Sequence, residues 1–196
     1  PIFYIYSNTN PSTGAFFRMI YALPVLALLA FLVRKADTRS SRTRWMAVGA
    51  GLLLAPDMVA YHISMDFVGI GVATLIGNSQ VILVTLVSWK LFGEKPNPAI
   101  LFSLPIVMIG LLLISGIADS EPYGVDPVKG VIFGIATAIF YTTFLIVFRY
   151  CNRELAPVSS VQFDATAGAA IGLLILGILP LSKVAVEPVD FQPTWP

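Results

Sequence analysis

Residues 68–115, VGIGVATLIGNSQVILVTLVSWKLFGEKPNPAILFSLPIVMIGLLLIS, decide the fold class of this chain. They hold one apolar run, 68–92, and most of a second, 97–117. A short polar turn with Lys90 and Lys95 separates the two runs. About 20 apolar residues in a helix are enough to cross roughly 30 Å of hydrocarbon. Each run is therefore predicted to be a membrane-spanning helix.

The rest of the 196 residues has the same character, since 57% of the chain is hydrophobic and 12% is charged. A soluble domain has about a quarter charged residues. Further runs of spanning length lie at 13–33, 45–65, 128–148 and 158–181, and the opening PIFYIYSN is interpreted as the end of another span. We expect an all-α polytopic bundle of about six transmembrane helices, cut from a larger protein. Because Cys151 is the single cysteine, no internal disulfide is expected.

Loop charges predict the orientation, because Lys and Arg accumulate in short cytoplasmic loops. The loop RKADTRSSRTR, residues 34–44, has five basic side chains and one acid, and the next loop, MDFVG, has no base. Basic and non-basic loops alternate in this way along the whole chain. The basic loops are therefore placed in the cytoplasm and residues 1–12 outside. The net charge of +1 does not indicate a nucleic-acid partner.

Small residues recur at helical spacing and predict close helix packing. They are Ala47, Gly51 and Ala55; Gly130, Gly134 and Ala138; and Gly168 with Gly172. Such faces let membrane helices approach through their backbones. We expect the spans to form a compact bundle.

An internal repeat is detectable at an offset of 146 residues. This offset aligns Pro11 with Pro157, Phe17 with Phe163, and Arg18 with Asp164. The loop charges give the two copies opposite directions, which is typical of inverted-repeat transporters.

Three stretches resemble the EamA family of the drug/metabolite transporter superfamily. GAFFRMIYALPVLALLAFLVRK (14–35) is similar to the second helix of this family, and residues 68–115 to its fourth and fifth helices with a Gly93-Glu94 turn. GVIFGIATAIFYTTFLIVFRYCNREL (130–155) resembles the start of its second repeat. PDMVAYHISMDFVG (56–69) departs from many members and resembles a subgroup with an Asp and a His in the third helix.

The resemblance implies a bundle of ten helices in two inverted five-helix repeats. Residues 1–117 would hold the tail of helix one and helices two to five, 118–126 an outer linker, and 127–196 helices six and seven. It also implies a secondary transporter that exports a small organic metabolite, such as an amino acid, through the cytoplasmic (inner) membrane by alternating access. The lipid bilayer and a small-molecule substrate are the expected partners, and the oligomeric state stays open.

Ionisable groups inside a membrane are costly and are functional candidates by default. Arg18 and Asp57 are predicted about 7.5 Å and 12 Å from the outer ends of their spans, at 1.5 Å per residue. They are interpreted either as an ion pair lining a substrate cavity or as a structural pair near the interface.

Three further residues are candidates for substrate binding. Asn78 is near mid-membrane on one stripe with Thr74. His62 is near the outer mouth, where it binds substrate, senses pH or only hydrogen-bonds Asp66. Asp164, the repeat counterpart of Arg18, is a candidate for closing an inner gate. Simple packing is the alternative for each.

Function classes other than transport have little support in the residues. An intramembrane enzyme needs a nucleophile and base or a metal set at one depth, and the chain has one histidine and no such motif. No catalytic residue, cofactor or metal site is therefore predicted. A non-transporting membrane sensor or scaffold stays open as the alternative.

Overall fold

A computed structural model describes residues 11–93, 95–99, 102–103, 105–106, 109–110, 126–152 and 157–178. Each long element in these ranges is an α-helix: α1 (Pro11–Leu32), α2 (Ser41–Asn78), α3 (Gln80–Phe92), α4 (Pro127–Cys151) and α5 (Val158–Ile178). A short 3-10 turn, Arg34–Ala36, lies between α1 and α2. The all-α fold predicted from the sequence is confirmed.

The helices carry the apolar runs expected of membrane spans. Within the described ranges, four helical stretches are long and apolar enough to cross a membrane. One of them, Ser41–Phe92, has 52 residues and contains two of the predicted spans. For the predicted span 97–117, helix is described at 98–99, 102–103, 105–106 and 109–110, and the remainder lies outside the described residues. The 118–126 linker also lies outside them, apart from Asp126.

The chain reverses inside α2, at Gly69. This glycine has φ 79° and ψ 161°, a backbone conformation that is essentially restricted to glycine. The hydroxyl oxygens of Tyr61 and Thr74 are 2.8 Å apart, although a straight helix would separate these residues by about 20 Å. Residues on either side of Gly69 therefore form the two limbs of a helical hairpin, which confirms the predicted division between the spans 45–65 and 68–92.

The helices group into two compact units. The first comprises residues 1–59 and 147–196, and the second comprises residues 60–146. Because the dividing points fall within α2 and α4, each of these helices contributes to both units. The predicted limits of the two sequence repeats follow a different division and stay a prediction.

In the first unit, α2 and α5 meet backbone to backbone along their small residues. A Cβ on Gly51 would overlap the carbonyl oxygen of Ala165, and a Cβ on Gly168 would overlap that of Val48. A Cβ on Gly172 would stand 2.8 Å from the Cβ of Ala55. Val48 contacts Gly168, and the later residue Ala55 contacts the later residue Gly172, so α2 and α5 run in the same direction. The spacing of small residues therefore predicted a real contact face.

Helix α1 also packs against α5 in this unit. Their shared core combines Phe16 and Met19, near the start of α1, with Ala169, Ala170 and Leu173, in the later half of α5. This pairing supports opposite directions for the two helices, as the repeat and the loop charges predict. A second core cluster joins Ala47, Cys151 and Val161, all fully buried.

In the second unit, the start of α4 packs against both limbs of the hairpin. The Ser64 hydroxyl donates a buried 2.8 Å hydrogen bond to the carbonyl oxygen of Gly130. One turn later, a Cβ on Gly134 would meet Ile76 of the other limb at 2.7 Å and Ser64 at 3.2 Å. The predicted small face Gly130–Gly134 is therefore the surface on which the hairpin closes.

Candidate functional site

A buried arginine with two carboxylates is the most strongly charged site in the described part of the chain. Arg39 lies two residues before the start of α2, and its side chain is 2% exposed. Its Nε and one terminal nitrogen each donate a 2.9 Å hydrogen bond to Asp37, one to each carboxylate oxygen. The same terminal nitrogen also lies 2.9 Å from Oδ2 of Asp164 on α5. The three side chains connect the loop before α2 to α5.

The two carboxylates hold Arg39 in different ways. Both Asp37 contacts have hydrogen-bond geometry, and the backbone N–H of Arg39 donates a third bond to Asp37 at 3.2 Å. The Asp164 Oδ2 has no aligned donor among the described residues, so its contact with Arg39 is a close charge pair. A bidentate arginine–carboxylate pair is the stronger arrangement. Asp37 is therefore the main partner of Arg39, and Asp164 is the second.

Electrostatic shifts in the loop agree with this geometry. The side-chain hydrogen bond from Arg39 is the largest cause that holds the pKa of Asp37 below its ordinary value. The same bond raises the pKa of Arg39, ahead of the charge of Asp164. Arg44 lies 3.4 Å from Asp37 with its side chain 51% exposed, and adds a weaker, solvent-screened contact. Both loop groups therefore remain charged at neutral pH.

The sequence singled out Asp164 but did not identify its partner. Asp164 is placed within α5, as expected, with its side chain 18% exposed. Arg39 was counted only as one of five basic residues that mark a cytoplasmic loop. The one local signal was Asp37, the single acid of that loop, two residues before Arg39. That spacing allows a bond within the loop and does not indicate burial.

Asp57 and Arg18 do not form the ion pair that was considered from their depths. Asp57 is buried, at 8% exposure, and Arg18 is exposed. No ion pair joins these two described residues. Phe16 and Met19 occupy the core-facing positions of α1, and at 100° per residue Arg18 falls on the opposite side. The pairing is therefore corrected, and a binding role for either residue stays a prediction.

His62 and Asn78 belong to the second unit, on the two limbs of the hairpin. The Asn78 amide donates a 2.8 Å hydrogen bond to the carbonyl oxygen of Thr74, one turn earlier on its own limb. Part of its hydrogen-bonding capacity is therefore used within the helix. The ring of His62 meets that of Tyr61 edge to face, with centroids 5.9 Å apart. Both side chains are half-buried, and their contact with a substrate stays a prediction.

The Tyr61–Thr74 contact was missed because each residue is ordinary within its own span. The hydrogen bond forms only because Gly69 turns the chain back.

Within the described ranges, no group of three or more His, Cys, Asp and Glu side chains is arranged to hold a metal ion.

Comparison with known proteins identifies relatives for most of this chain. Residues 3–116 match the family model described as the EamA-like transporter family. The chain is 27% identical over 175 residues to an uncharacterized transporter of Synechocystis sp., an alignment that covers 81% of this chain and 51% of that protein. The chain thus spans about half the length of the curated relative it matches. No solved structure matches it. The family model and this relative both point to a transporter rather than an enzyme.

Proposed function

The chain belongs to the EamA-like transporter family of membrane proteins, and from this premise we propose that it forms part of a secondary carrier for small organic solutes with an amino group. Amino acids are the solute class that we favour, with export across the cytoplasmic membrane as the direction. The carrier would work by alternating access between two inverted repeats, as proteins built in this way commonly do.

The buried carboxylate of Asp57 is the observation that carries this proposal. It lies inside the first limb of the α2 hairpin at 8% exposure, in a helical stretch of strongly apolar composition. A carboxylate in such a place is expensive to maintain and usually marks a substrate or ion pathway. Its chemistry suits the ammonium group of an amino acid, which a buried carboxylate binds by charge and hydrogen bonding.

Transport by the natural protein in liposomes tests this function. We expect saturable counterflow of at least one amino acid, and little flux of the same solutes without the amino group. Asp57→Asn should abolish the flux while leaving the size-exclusion profile unchanged. Asp66→Asn is the matched control, because this carboxylate lies on the same limb but is exposed, and it should transport like the wild type.

Two results would contradict the proposal. Equal flux in Asp57→Asn and Asp66→Asn would show that the buried carboxylate does not bind the solute. Absence of saturable flux for every amino acid tested would support the alternative class, a membrane sensor or scaffold that does not transport.

A further inference from the structure

We propose that Arg39 closes the cytoplasmic end of the solute path, as a plug that the loop before α2 inserts against Asp164 of α5. This role rests on the proposed transport function, since a path must exist for a plug to close it. Asp37 has a separate part in the device: it keeps Arg39 neutralised when the plug withdraws.

The basic loop before α2 buries one of its cations. Arg39 precedes α2 and belongs to the basic loop that the charge pattern places in the cytoplasm. Its neighbours Thr38 and Ser40 are exposed, whereas the Arg39 side chain is 2% exposed. Loop arginines normally keep their charge in water, and burial requires ionic partners. The loop therefore buries the Arg39 side chain together with its own carboxylate, Asp37, whose side chain is 8% exposed.

The two carboxylates are not equivalent partners of Arg39. Asp37 lies in the same loop, makes two aligned 2.9 Å bonds to the guanidinium, and moves with Arg39. Asp164 belongs to α5 and makes one charge contact. Withdrawal of the loop therefore breaks only the Asp164 contact, and Arg39 leaves the bundle still paired. A plug built in this way withdraws Arg39 as a paired charge, and the carboxylate that loses its partner is Asp164.

The helices of this unit are held to one another by close contacts. Helices α2 and α5 touch through their backbones at Gly51 and Gly168, so they separate less readily than a loop does. Cys151, at the end of α4, is fully buried, and its Sγ lies 3.6 Å from the carbonyl oxygen of Thr43 in the first turn of α2. Helices α2, α4 and α5 are therefore held together at this end, and we assign the movement to the loop.

Cys151 provides a reporter already present in the protein. It is the single cysteine of this sequence and has no exposed surface. A membrane-impermeant maleimide added from the cytoplasmic side reaches it only when this end opens. The alkylation rate at Cys151, read by mass spectrometry on the natural protein in vesicles, therefore measures the open fraction.

Removal of either partner of the Arg39–Asp164 contact should open the plug. We expect Asp164→Asn and Arg39→Gln to alkylate at Cys151 at least about tenfold faster than the wild type, which corresponds to about 1.4 kcal/mol. Asp126→Asn is the matched control, because it removes the ion pair between Asp126, just before α4, and Lys129 in the first turn of that helix. Its alkylation rate should not change. Ser41→Cys, at the exposed first residue of α2, should react rapidly from the same side and verifies the orientation.

Three outcomes would overturn the plug. Unchanged alkylation in Asp164→Asn would mean that the contact does not close this end. Faster alkylation with an equal loss of thermal stability would identify a structural clamp, because a plug alters access without unfolding the bundle. Labelling of Ser41→Cys only from the opposite side would place the site outside the cell. Amino-acid flux measured in the same vesicles separates the two proposals: flux with unchanged labelling refutes the plug alone, and absent flux refutes the proposed function.

Discussion

Replacement of Gly168 by alanine would place a methyl group against the backbone of α2. The new Cβ would stand 2.9 Å from the carbonyl carbon of Val48 and 3.1 Å from its Cα, with the carbonyl oxygen closer still. Because all three neighbours are backbone atoms, no side chain is able to rotate away. The helices must separate, and a gap of about 1 Å already forfeits a quarter to a half of the dispersion energy of each contact along the face.

The expected cost follows from two opposing effects. Overpacking of a well-packed interface typically costs about 1–3 kcal/mol, and rigid backbone neighbours favour the upper end. Alanine has a better helix propensity than glycine by about 1 kcal/mol. We therefore expect Gly168→Ala to destabilise the protein by about 2 kcal/mol, or roughly a 30-fold change in the unfolding equilibrium constant. Gly49→Ala is the matched control, because nothing lies within 4 Å of its new Cβ, and it should be neutral or slightly stabilising.

Unfolding of the natural protein by sodium dodecyl sulfate in mixed micelles, followed by circular dichroism, measures both variants. If Gly168→Ala unfolds at the same detergent fraction as Gly49→Ala, then α2 and α5 do not meet through their backbones. Helices α2 and α5 would then be as free to move as the loop, which contradicts the plug.

Two further predictions concern the turn and the loop. Gly69→Ala should cost about 1–3 kcal/mol through its backbone conformation alone, since its Cβ would also meet nothing within 4 Å; equal stability to Gly49→Ala in the same detergent assay would contradict the reversal. The folded pKa of Asp37 is held below its ordinary value, so its stabilising contribution should be complete above about pH 4 and be lost as the pH falls through the folded pKa. The difference in melting temperature between wild type and Asp37→Asn should therefore be constant near neutral pH and shrink in acid, and a difference undiminished at about pH 2 would contradict the ion pair.

Features that depend on local sequence were predictable. Span positions follow from the length of apolar runs, and the division within residues 45–92 follows from the polar MDFVG turn that contains Gly69. The small faces at Gly51 and Gly168 follow from four-residue spacing. Their partner helices did not follow, because spacing identifies a face and not the surface that it meets.

Features that depend on tertiary placement were missed or misread. Arg18 and Asp57 were compared by depth, but an ion pair also requires the right face of each helix, and Phe16 and Met19 already occupy the core face of α1. Arg39 was read as an ordinary loop cation because its burial depends on Asp164, a residue far away in the sequence. Depth in the membrane and loop charge are properties of a single segment, whereas an ion pair depends on how two segments are placed relative to each other.

The reversal at Gly69 also bears on how the protein enters the membrane during synthesis. With 38 residues, α2 would be about 57 Å long if it were straight, nearly twice the 30 Å thickness of the hydrocarbon core. The connection between the two limbs at Gly69 is very short. The first limb therefore cannot move far into the lipid while the second limb is still inside the insertion channel. The two limbs should therefore leave the channel as one preformed hairpin, with Tyr61 and Thr74 already bonded. A chain that ended between these two residues would lack Thr74, the hydrogen-bond partner of the Tyr61 hydroxyl.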